Sequence, residues 1–549
     1  MAVLARVPWL SENSEGTAGS SSAVCIVGVL YGWLSEHQSE NPVACCGEWS
    51  VWGTGMKLTG FPFLLCFLPC VLILYWSFRR FYRVQNAILL AASLVFYGSY
   101  GWRNLFFLAF SIVITWTCGL AGWKVSGQGE GRRAGKGIWL FGVFLNLGML
   151  AVFKYAGFAV ENANRVLGAL HRPALPLPAL LLPVGLSFYV FQTTSYLLDL
   201  YHGKIRPERN LLTYGAYAAF FPTLISGPIQ KSWRTLPLFQ KRRRLSYADW
   251  QGALFTFLYG GFLKLVIADR LARFTDPVFA GFGSCSSVVL LLAVPAYAVQ
   301  IYADFAGYSD MAIAVAGLLG FSLHSNFERP YLALTIVDFW RRWHISLTDW
   351  FREYLYFPLG GSRKGKVRTY CNVAIVFLVS GLWHGAQWHY VFWGGLHAFY
   401  QIFGRLTLPA RERFRRKAGI RSESGIYRIW QRLCVFFLTS FAWIFFRNGF
   451  DDACSFLACL WKNRKLPALS GDGGLLTLFP AAEIAISFAA AALLLVVSSV
   501  RETGRDIRWL TGRKTAVRFA CGLLLLTAVA VFGLYGPGYS GSAFIYAGF

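Results

Sequence analysis

Apolar residues along this chain fall into long runs separated by short polar and basic connections. The runs Phe61–Phe78, Ala87–Tyr100, Leu105–Trp123, Ile138–Phe158 and Leu177–Leu198 open the series. Trp250–Ile267, Val288–Leu323, Cys371–Phe403, Leu433–Phe446, Ala482–Val500 and Phe519–Leu534 complete it. A helix that crosses a bilayer needs ~20 apolar residues, and the longest runs count as more than one pass, which predicts roughly 11 to 13 spans. The fold class this implies is an all-α polytopic membrane protein. Two stretches break the helical pattern with glycine and proline in apolar surroundings: "LLPVGLSFYVFQTTSYLLDLY" (Leu181–Tyr201) and "FFPTLISGPIQ" (Phe220–Gln230). Irregular backbone at membrane depth is tolerated only where protein buries it or water reaches it, so the bundle is expected to contain a cavity.

Residues 1–55 read differently. "SENSEGTAGSSS" is polar and low in complexity, and the apolar run Ala23–Leu34 is short for a span and lacks a basic segment before it. These residues are expected to form an N-terminal extension outside the membrane domain of residues 56–549, dispensable for function or upstream of the true start at Met56. A chain beginning at Met56 that fails to insert would contradict that reading. Further on, the basic segment Arg405–Arg432 is helix-compatible, and Trp461–Phe479 reads as a loop or interfacial stretch.

Composition agrees with the pattern: 56% of residues are hydrophobic, 17% aromatic and only 14% charged. The net charge of +26 could point to nucleic acid, but its placement excludes that partner. Basic residues sit as islands between the runs: Arg79, Arg80 and Arg83; Lys124, Arg132, Arg133 and Lys136; Lys241–Arg244; and Arg411–Lys417. This is the distribution of cytoplasmic loops, with the lipid bilayer and its anionic headgroups as the implied partner. The twelve cysteines are dispersed and several lie within apolar runs, which marks them as small buried hydrophobes rather than a disulfide or metal framework.

One stretch gathers ionisable groups that the rest of the chain avoids. "FWRRWHISLTDWFREYLYFPLGG" (Phe339–Gly361) carries Arg341, Arg342, His344, Asp349, Arg352 and Glu353. On a helix Asp338 reaches Arg341 or Arg342, and Asp349 reaches Arg352, so these charges are read as ion pairs shaping a cavity wall. "PLGG" followed by "SRKGKVR" reads as a helix stop and a basic cytoplasmic loop.

Of eight histidines, His37, His171 and His202 lie in polar or loop contexts, whereas His324, His344, His384, His389 and His397 concentrate between Leu318 and Tyr400. Ionisable groups at bilayer depth are costly, face the bundle interior and mark function. His384 lies between Gly381 and Gly385, a spacing that lets a neighbouring helix or a substrate approach one face closely. With an ordinary pKa of about 6.5, a histidine there could take a proton from a hydroxyl, or it could lock two helices through a backbone carbonyl. The residues alone leave both readings open. His389 and His397 are read as bracketing the interfacial end of their helix. HExxH, paired Cys/His spacings, GxSxG and a P-loop are absent from the sequence, which disfavours a metal site, a self-contained serine hydrolase and an NTPase.

In order along the chain, "FKYAGF", "LPVGLSFYVFQTTSYLLDLYHG", "FFPTLISGPIQ", "IYADFAGYSDMAIAVAGLLGF", "NFERPYL", "DFWRRWHISLTDWFREYLYFPLGG", "GLWHGAQWHYVFWGGLHA" and "SFAWIFFR" closely resemble the membrane-bound O-acyltransferase family, in its bacterial alginate O-acetyltransferase-like branch. The resemblance covers roughly Lys57 to Phe446. It implies a ring of transmembrane helices around a thin central core, with donor and acceptor meeting in a channel. It assigns the family's histidine to His384 as general base or orienter of the acceptor hydroxyl, and an auxiliary role to His344. Trp383, Arg342, Asp349 and Arg352 are expected along the substrate channel.

The same resemblance implies a cytosolic acyl thioester, acetyl-CoA before others, as donor, with no permanently bound cofactor. It also implies an acceptor hydroxyl on an extracytoplasmic polysaccharide or partner protein, and residence in the cytoplasmic membrane. A separate esterase-like extracytoplasmic acyltransferase is the expected partner. The D-alanyl branch, which draws on an acyl carrier protein to modify teichoic acid, is the alternative within the family. From another class, a membrane transporter would also suit broken helices and intramembrane charge, but should show paired half-helices in its two halves.

Overall fold

The computed structural model of the chain describes residues 55–127, 132–178, 180–464, 479–502 and 514–535. Except for Gly55, the expected N-terminal extension lies outside the described residues, as does most of Trp461–Phe479. Among the described residues the secondary structure is helical, with no strand. The chain runs through α1 (Pro62–Ser77), α2 (Tyr82–Gly98), α3 (Trp102–Ser126), α4 (Arg132–Ala169) and α5 (Leu186–Tyr201). Three short helices follow: α6 (Leu211–Ala218), α7 (Phe221–Leu224) and α8 (Ser232–Phe239). The long α9 (Tyr247–Ala280) and α10 (Ser287–Leu318) lead to the short α11 (Ile336–Arg342) and α12 (Ile345–Phe351). After them come α13 (Lys366–His384), α14 (Trp388–Leu406), α15 (Leu408–Lys417), α16 (Gly425–Arg447), α17 (Phe450–Lys462), α18 (Ala481–Glu502) and α19 (Thr515–Phe532).

Seven helices among the described residues are long and apolar enough to cross a membrane by length and composition: α3, α4, α9, α10, α16, α18 and α19. The protein is a multi-pass membrane protein. Others of the predicted spans correspond to α1, α2, α5, α13 and α14, which are shorter or more polar.

The expected span Leu177–Leu198 is corrected by the structure. Residues 180–184 are not helical, and α5 starts only after Gly185. Gly185 has φ +70°, and a Cβ there would lie 2.8 Å from the Leu224 carbonyl oxygen, so glycine is required on both counts. From Leu186 to Leu200 almost every side chain of α5 is buried, which makes it a central helix surrounded by protein. Its polar residues are bonded across helices. Asn146 of α4 donates to Thr193 Oγ1 at 2.7 Å and accepts from Ser111 Oγ of α3 at 2.9 Å. Such bonds hold transmembrane helices together where the hydrophobic effect cannot.

The second broken stretch obeys the same rule. Phe220–Gln230 contains only the single turn of α7 and then runs irregularly, yet all of it is buried. α9 and α10 approach backbone to backbone, since a Cβ on Gly260 would lie 2.7 Å from the Gly307 carbonyl oxygen. Beside that contact α9 widens into a π-helical turn at Phe262–Ala268, and Lys264 bonds Asp269 at 2.8 Å and Asp304 of α10 at 2.7 Å. Breaking such a buried ion cluster is strongly destabilising, so this seam is a structural lock.

Candidate active site

α11 and α12 are joined by a sharp turn at Trp343–His344. His344 has φ +43° and ψ 53°, a left-handed conformation that costs a non-glycine residue about 1–2 kcal/mol. Strain of this kind persists only where the surroundings over-determine it. Asn326 does so here. Its carbonyl oxygen accepts the Ile345 N–H at 2.9 Å and its side-chain oxygen accepts the Ser346 N–H at 3.2 Å. Its amide in turn donates to Ser309 Oγ of α10 at 3.2 Å. Trp343 wedges the turn, with ring centroids 5.0 Å from Phe327 and 5.0 Å from Trp443. The result is a fully buried imidazole, 0% exposed, held 4.7 Å edge-on from Phe305.

His384 arrives from the other direction as the last residue of α13, 1% exposed. The helix stops because Gly385 is extended and the chain turns into α14 at Trp388. A Cβ on Gly381 would run into the Tyr390 carbonyl and one on Gly385 into the Tyr390 ring. The two glycines therefore admit α14, the neighbouring-helix option of the two that the sequence allowed. With that face filled, the His384 ring sits between Trp383 (4.9 Å), Trp393 (5.1 Å) and Phe446 (5.3 Å), and its centroid is 6.3 Å from that of His344. Two segments forty positions apart thus bring two imidazoles into one aromatic chamber.

The last carbonyls of any helix lack intrahelical partners. For α13 they are taken by α4: Lys154 Nζ donates to the Trp383 carbonyl, and Tyr155 OH donates to the Leu382 carbonyl at 3.0 Å. Lys154 also donates to Ser187 Oγ at 3.1 Å and lies 5.5 Å from the centre of the Trp383 ring. Side-chain donors that satisfy the last carbonyls of a helix stabilise its end, and here they fix the residue before His384. Around the same ring, the indole nitrogens of Trp383 and Trp393 are buried and bonded to no acceptor among the described residues. Buried N–H donors left in this state are rare.

The remaining expectations divide. Asp338 pairs with Arg342 at 3.0 Å, and Asp349 with Arg352 at 2.7 Å, as the helical spacing predicts. Asp349 and Arg352, however, belong to a charged cluster away from the two rings. Lys231 bonds Glu353 at 2.6 Å, Lys204 bonds Glu353, and Tyr354 OH donates to Asp199 at 2.8 Å, while Arg352 is 53% exposed. Burial pushes the Glu353 carboxyl up, but the hydrogen bonds and charges of Lys204 and Lys231 outweigh it and hold Glu353 below the ordinary carboxylate range. Of the four expected channel residues, Trp383 packs against both histidine rings, at 5.9 Å from His344 and 4.9 Å from His384.

His389 sits at the start of α14 and bonds the Phe445 carbonyl at 2.8 Å. His397 does not bracket a helix end. It is buried mid-helix and its Nδ1 accepts from Trp340 Nε1 at 3.2 Å, a packing role. His324 is exposed. Sequence reasoning assigned no role to Lys154, Tyr155 or Asn326. A lysine inside the apolar run Ile138–Phe158 was the available signal. Among the described residues, no three His, Cys, Asp or Glu side chains gather as a metal site would require.

A family model described as MBOAT, membrane-bound O-acyltransferase family, matches residues 204–446, which include both histidines. The chain is 37% identical over 386 residues to a probable alginate O-acetylase AlgI of Pseudomonas syringae pv. tomato, covering 70% of this chain and 71% of that protein. It is 33% identical to the peptidoglycan O-acetyltransferase of Helicobacter pylori, over 70% of this chain and 76% of that protein. A teichoic acid D-alanyltransferase of Streptococcus thermophilus is more distant, 25% identical over 49% of this chain and 72% of the relative.

Proposed function

The chain belongs to the membrane-bound O-acyltransferase family, and from that premise we propose that it carries an acyl group, acetyl before others, from a cytosolic thioester to a hydroxyl of an extracytoplasmic polysaccharide or partner protein. The relatives named for O-acetylation match a larger share of the chain at higher identity than the one named for D-alanyl transfer, which favours acetyl over D-alanyl. In this reading the donor is acetyl-CoA or another acyl thioester. The chain sits in the cytoplasmic membrane with its basic islands inside, and an esterase-like protein outside receives the acyl group.

The observation that carries the reading is the meeting of His344 and His384 in one buried aromatic chamber, 6.3 Å between ring centroids. At hydrogen-bond lengths of about 2.8 Å, that separation lets one hydroxyl oxygen bridge a nitrogen of each ring. His384 takes the proton of the acceptor hydroxyl as its oxygen attacks the thioester carbonyl. The C–S bond then breaks, the sulfur takes the proton from the His384 imidazolium, and the donor leaves as the free thiol with His384 neutral again. His344 donates to the hydroxyl oxygen and aims it. The tetrahedral intermediate places negative charge on the former carbonyl oxygen, which needs preorganised donors. The indole N–H groups of Trp383 and Trp393 are the donors this reading assigns. Lys154 and Tyr155 act one step back, as positioning residues on the end of α13.

The direct test is the acetyl content of surface polysaccharide in cells whose only copy is His384→Ala. With the variant present in the membrane at the normal level, acetylation should fall to the level of a deletion. Acetylation that persists would sink the assignment.

A further inference from the structure

We propose a second site, independent of the transfer chemistry: a pocket for a phosphate-bearing ligand, lined by five arginines that come from two distant parts of the chain. The turn after α1 supplies Arg79 and Arg80, and the connection between α8 and α9 supplies Arg242, Arg243 and Arg244. Together with Trp76 and Leu245 they line an open pocket of about 610 Å³.

The pocket is built rather than incidental. Arg243 is 6% exposed and donates to the side-chain oxygen of Asn86 on α2. Its guanidinium lies 4.8 Å from the centre of the Phe321 ring, 5.4 Å from Phe239 and 6.0 Å from Tyr75, a cage that cation–π attraction stabilises. The end of α1 is pinned as firmly. Trp76 Nε1 donates to the Leu318 carbonyl at 3.0 Å and Tyr75 OH to the Leu319 carbonyl at 2.9 Å, at the end of α10. With Arg243 anchored, its neighbours Arg242 and Arg244 are carried to the same opening as Arg79 and Arg80, and all four of these are exposed.

The charge arrangement is what points to an anion. Several cation clusters elsewhere in the molecule are matched by carboxylates, Lys204 and Lys231 by Glu353, Arg270 and Arg273 by Glu483, Arg447 by Asp276, and the run Arg411–Lys417, which is not, lies along one helix with no buried residue. Among the described residues none of the five pocket arginines has a carboxylate within ion-pairing distance. Five like charges around one opening repel one another unless an external anion offsets them. Planar guanidinium forks match phosphate oxygens in paired hydrogen bonds, and several forks together favour a doubly charged phosphate or a phosphodiester. Ile73, Leu74 and Phe78 leave an exposed apolar face on the adjoining end of α1, where acyl chains attached to such a headgroup could lie. The ligand class is therefore a phosphate group, carried by an anionic phospholipid or by a soluble phosphate compound.

The test uses the full chain in nanodiscs. In one arm, discs mix phosphatidylglycerol with phosphatidylcholine, and native mass spectrometry counts the phosphatidylglycerol retained per protein. In the other, discs are phosphatidylcholine alone and inorganic pyrophosphate is titrated by calorimetry. Each arm compares the wild-type chain, the variant Arg79→Gln/Arg80→Gln/Arg242→Gln/Arg244→Gln, and a control that removes four charges elsewhere, Arg413→Gln/Arg416→Gln/Lys417→Gln/Arg421→Gln. Arg242→Gln/Arg244→Gln, which leaves α1 untouched, serves if the fourfold variant does not fold. Retention or binding that falls at least tenfold in the pocket variant and less than twofold in the control supports the site, and the arm that responds names the source. Binding in neither arm, or an equal loss in the control, overturns it.

Discussion

Between Phe339 and His344 the chain buries Phe339, Trp340, Trp343 and His344, whereas from Asp349 to Glu353, less than two turns further on, it turns paired charges toward the surface. The two regions lie in one short sequence and were equally eye-catching as a cluster of ionisable residues. Their partners separate them. Asp349, Arg352 and Glu353 each answer a charge of opposite sign, so their charge is used up in holding shape. His344 faces Phe305, Trp383 and a second imidazole, and the backbone beneath it is held in a left-handed turn by Asn326. On the function proposed above, paired charge holds architecture, while the strained turn at His344 inside an aromatic chamber is where the chemistry is assigned.

The sharpest way to break the comparison is on the chamber side. His384→Ala should lower the rate of acyl transfer roughly 10³-fold, the scale of a lost general base, with its melting temperature close to wild type. His344 allows a finer cut. Ala and Gly at 344 should both cost roughly 10²-fold in turnover. The Gly variant should nevertheless be more stable by about 1 kcal/mol in denaturant melts, because only glycine adopts φ +43° freely. Equal stability of the two would mean that the turn stores no strain. Trp383→Phe and Trp393→Phe keep an aromatic ring and delete the N–H. Each is expected to lower kcat by up to roughly 10²-fold with little change in KM, and an unchanged kcat would remove the indoles from the oxyanion.

Lys154→Met comes next, leaving the Trp383 carbonyl without its Lys154 donor. A roughly tenfold loss of turnover, partly rescued by Lys154→Arg, is the expected signature of positioning. The smallest effect belongs to the charged side. Glu353→Gln should leave kinetics unchanged and cost less than about 1 kcal/mol at neutral pH. Because Glu353 titrates lower in the folded protein than unfolded, its contribution is present above the unfolded value and fades as pH falls through the folded one. Melting curves of wild type and variant should therefore differ at neutral pH and converge in acid.

Much of this organisation is legible in the sequence because membrane burial imposes simple rules. Run length announced the helices, and the i, i+4 and i, i+3 spacings announced Asp338–Arg342 and Asp349–Arg352. Glycine and proline announced the breaks near Gly185 and in Phe220–Gln230. What the pattern left open depends on partners met only in the folded chain. Gly381 and Gly385 could admit a helix or a substrate, and only the position of Tyr390 decides between them. His397 looked like an interfacial residue and proved to be an acceptor for Trp340 deep in the core. The grip of Lys154 and Tyr155 on α13 spans more than two hundred positions and has no local period to betray it. Glycine and proline mark a break near the start of α5, but an apolar run conceals which side of that break is helical.

The central claim is that one acyl transfer centre is built where His344 meets His384. The most direct measurement follows acetyl from a radiolabelled thioester to an acceptor hydroxyl, using the purified chain and its His384→Ala variant reconstituted in liposomes at equal amounts and equal melting temperatures. The wild-type chain should transfer acetyl, and the variant should do so at a rate at least roughly 10²-fold lower. A folded His384→Ala chain that transfers acetyl at the wild-type rate would contradict it.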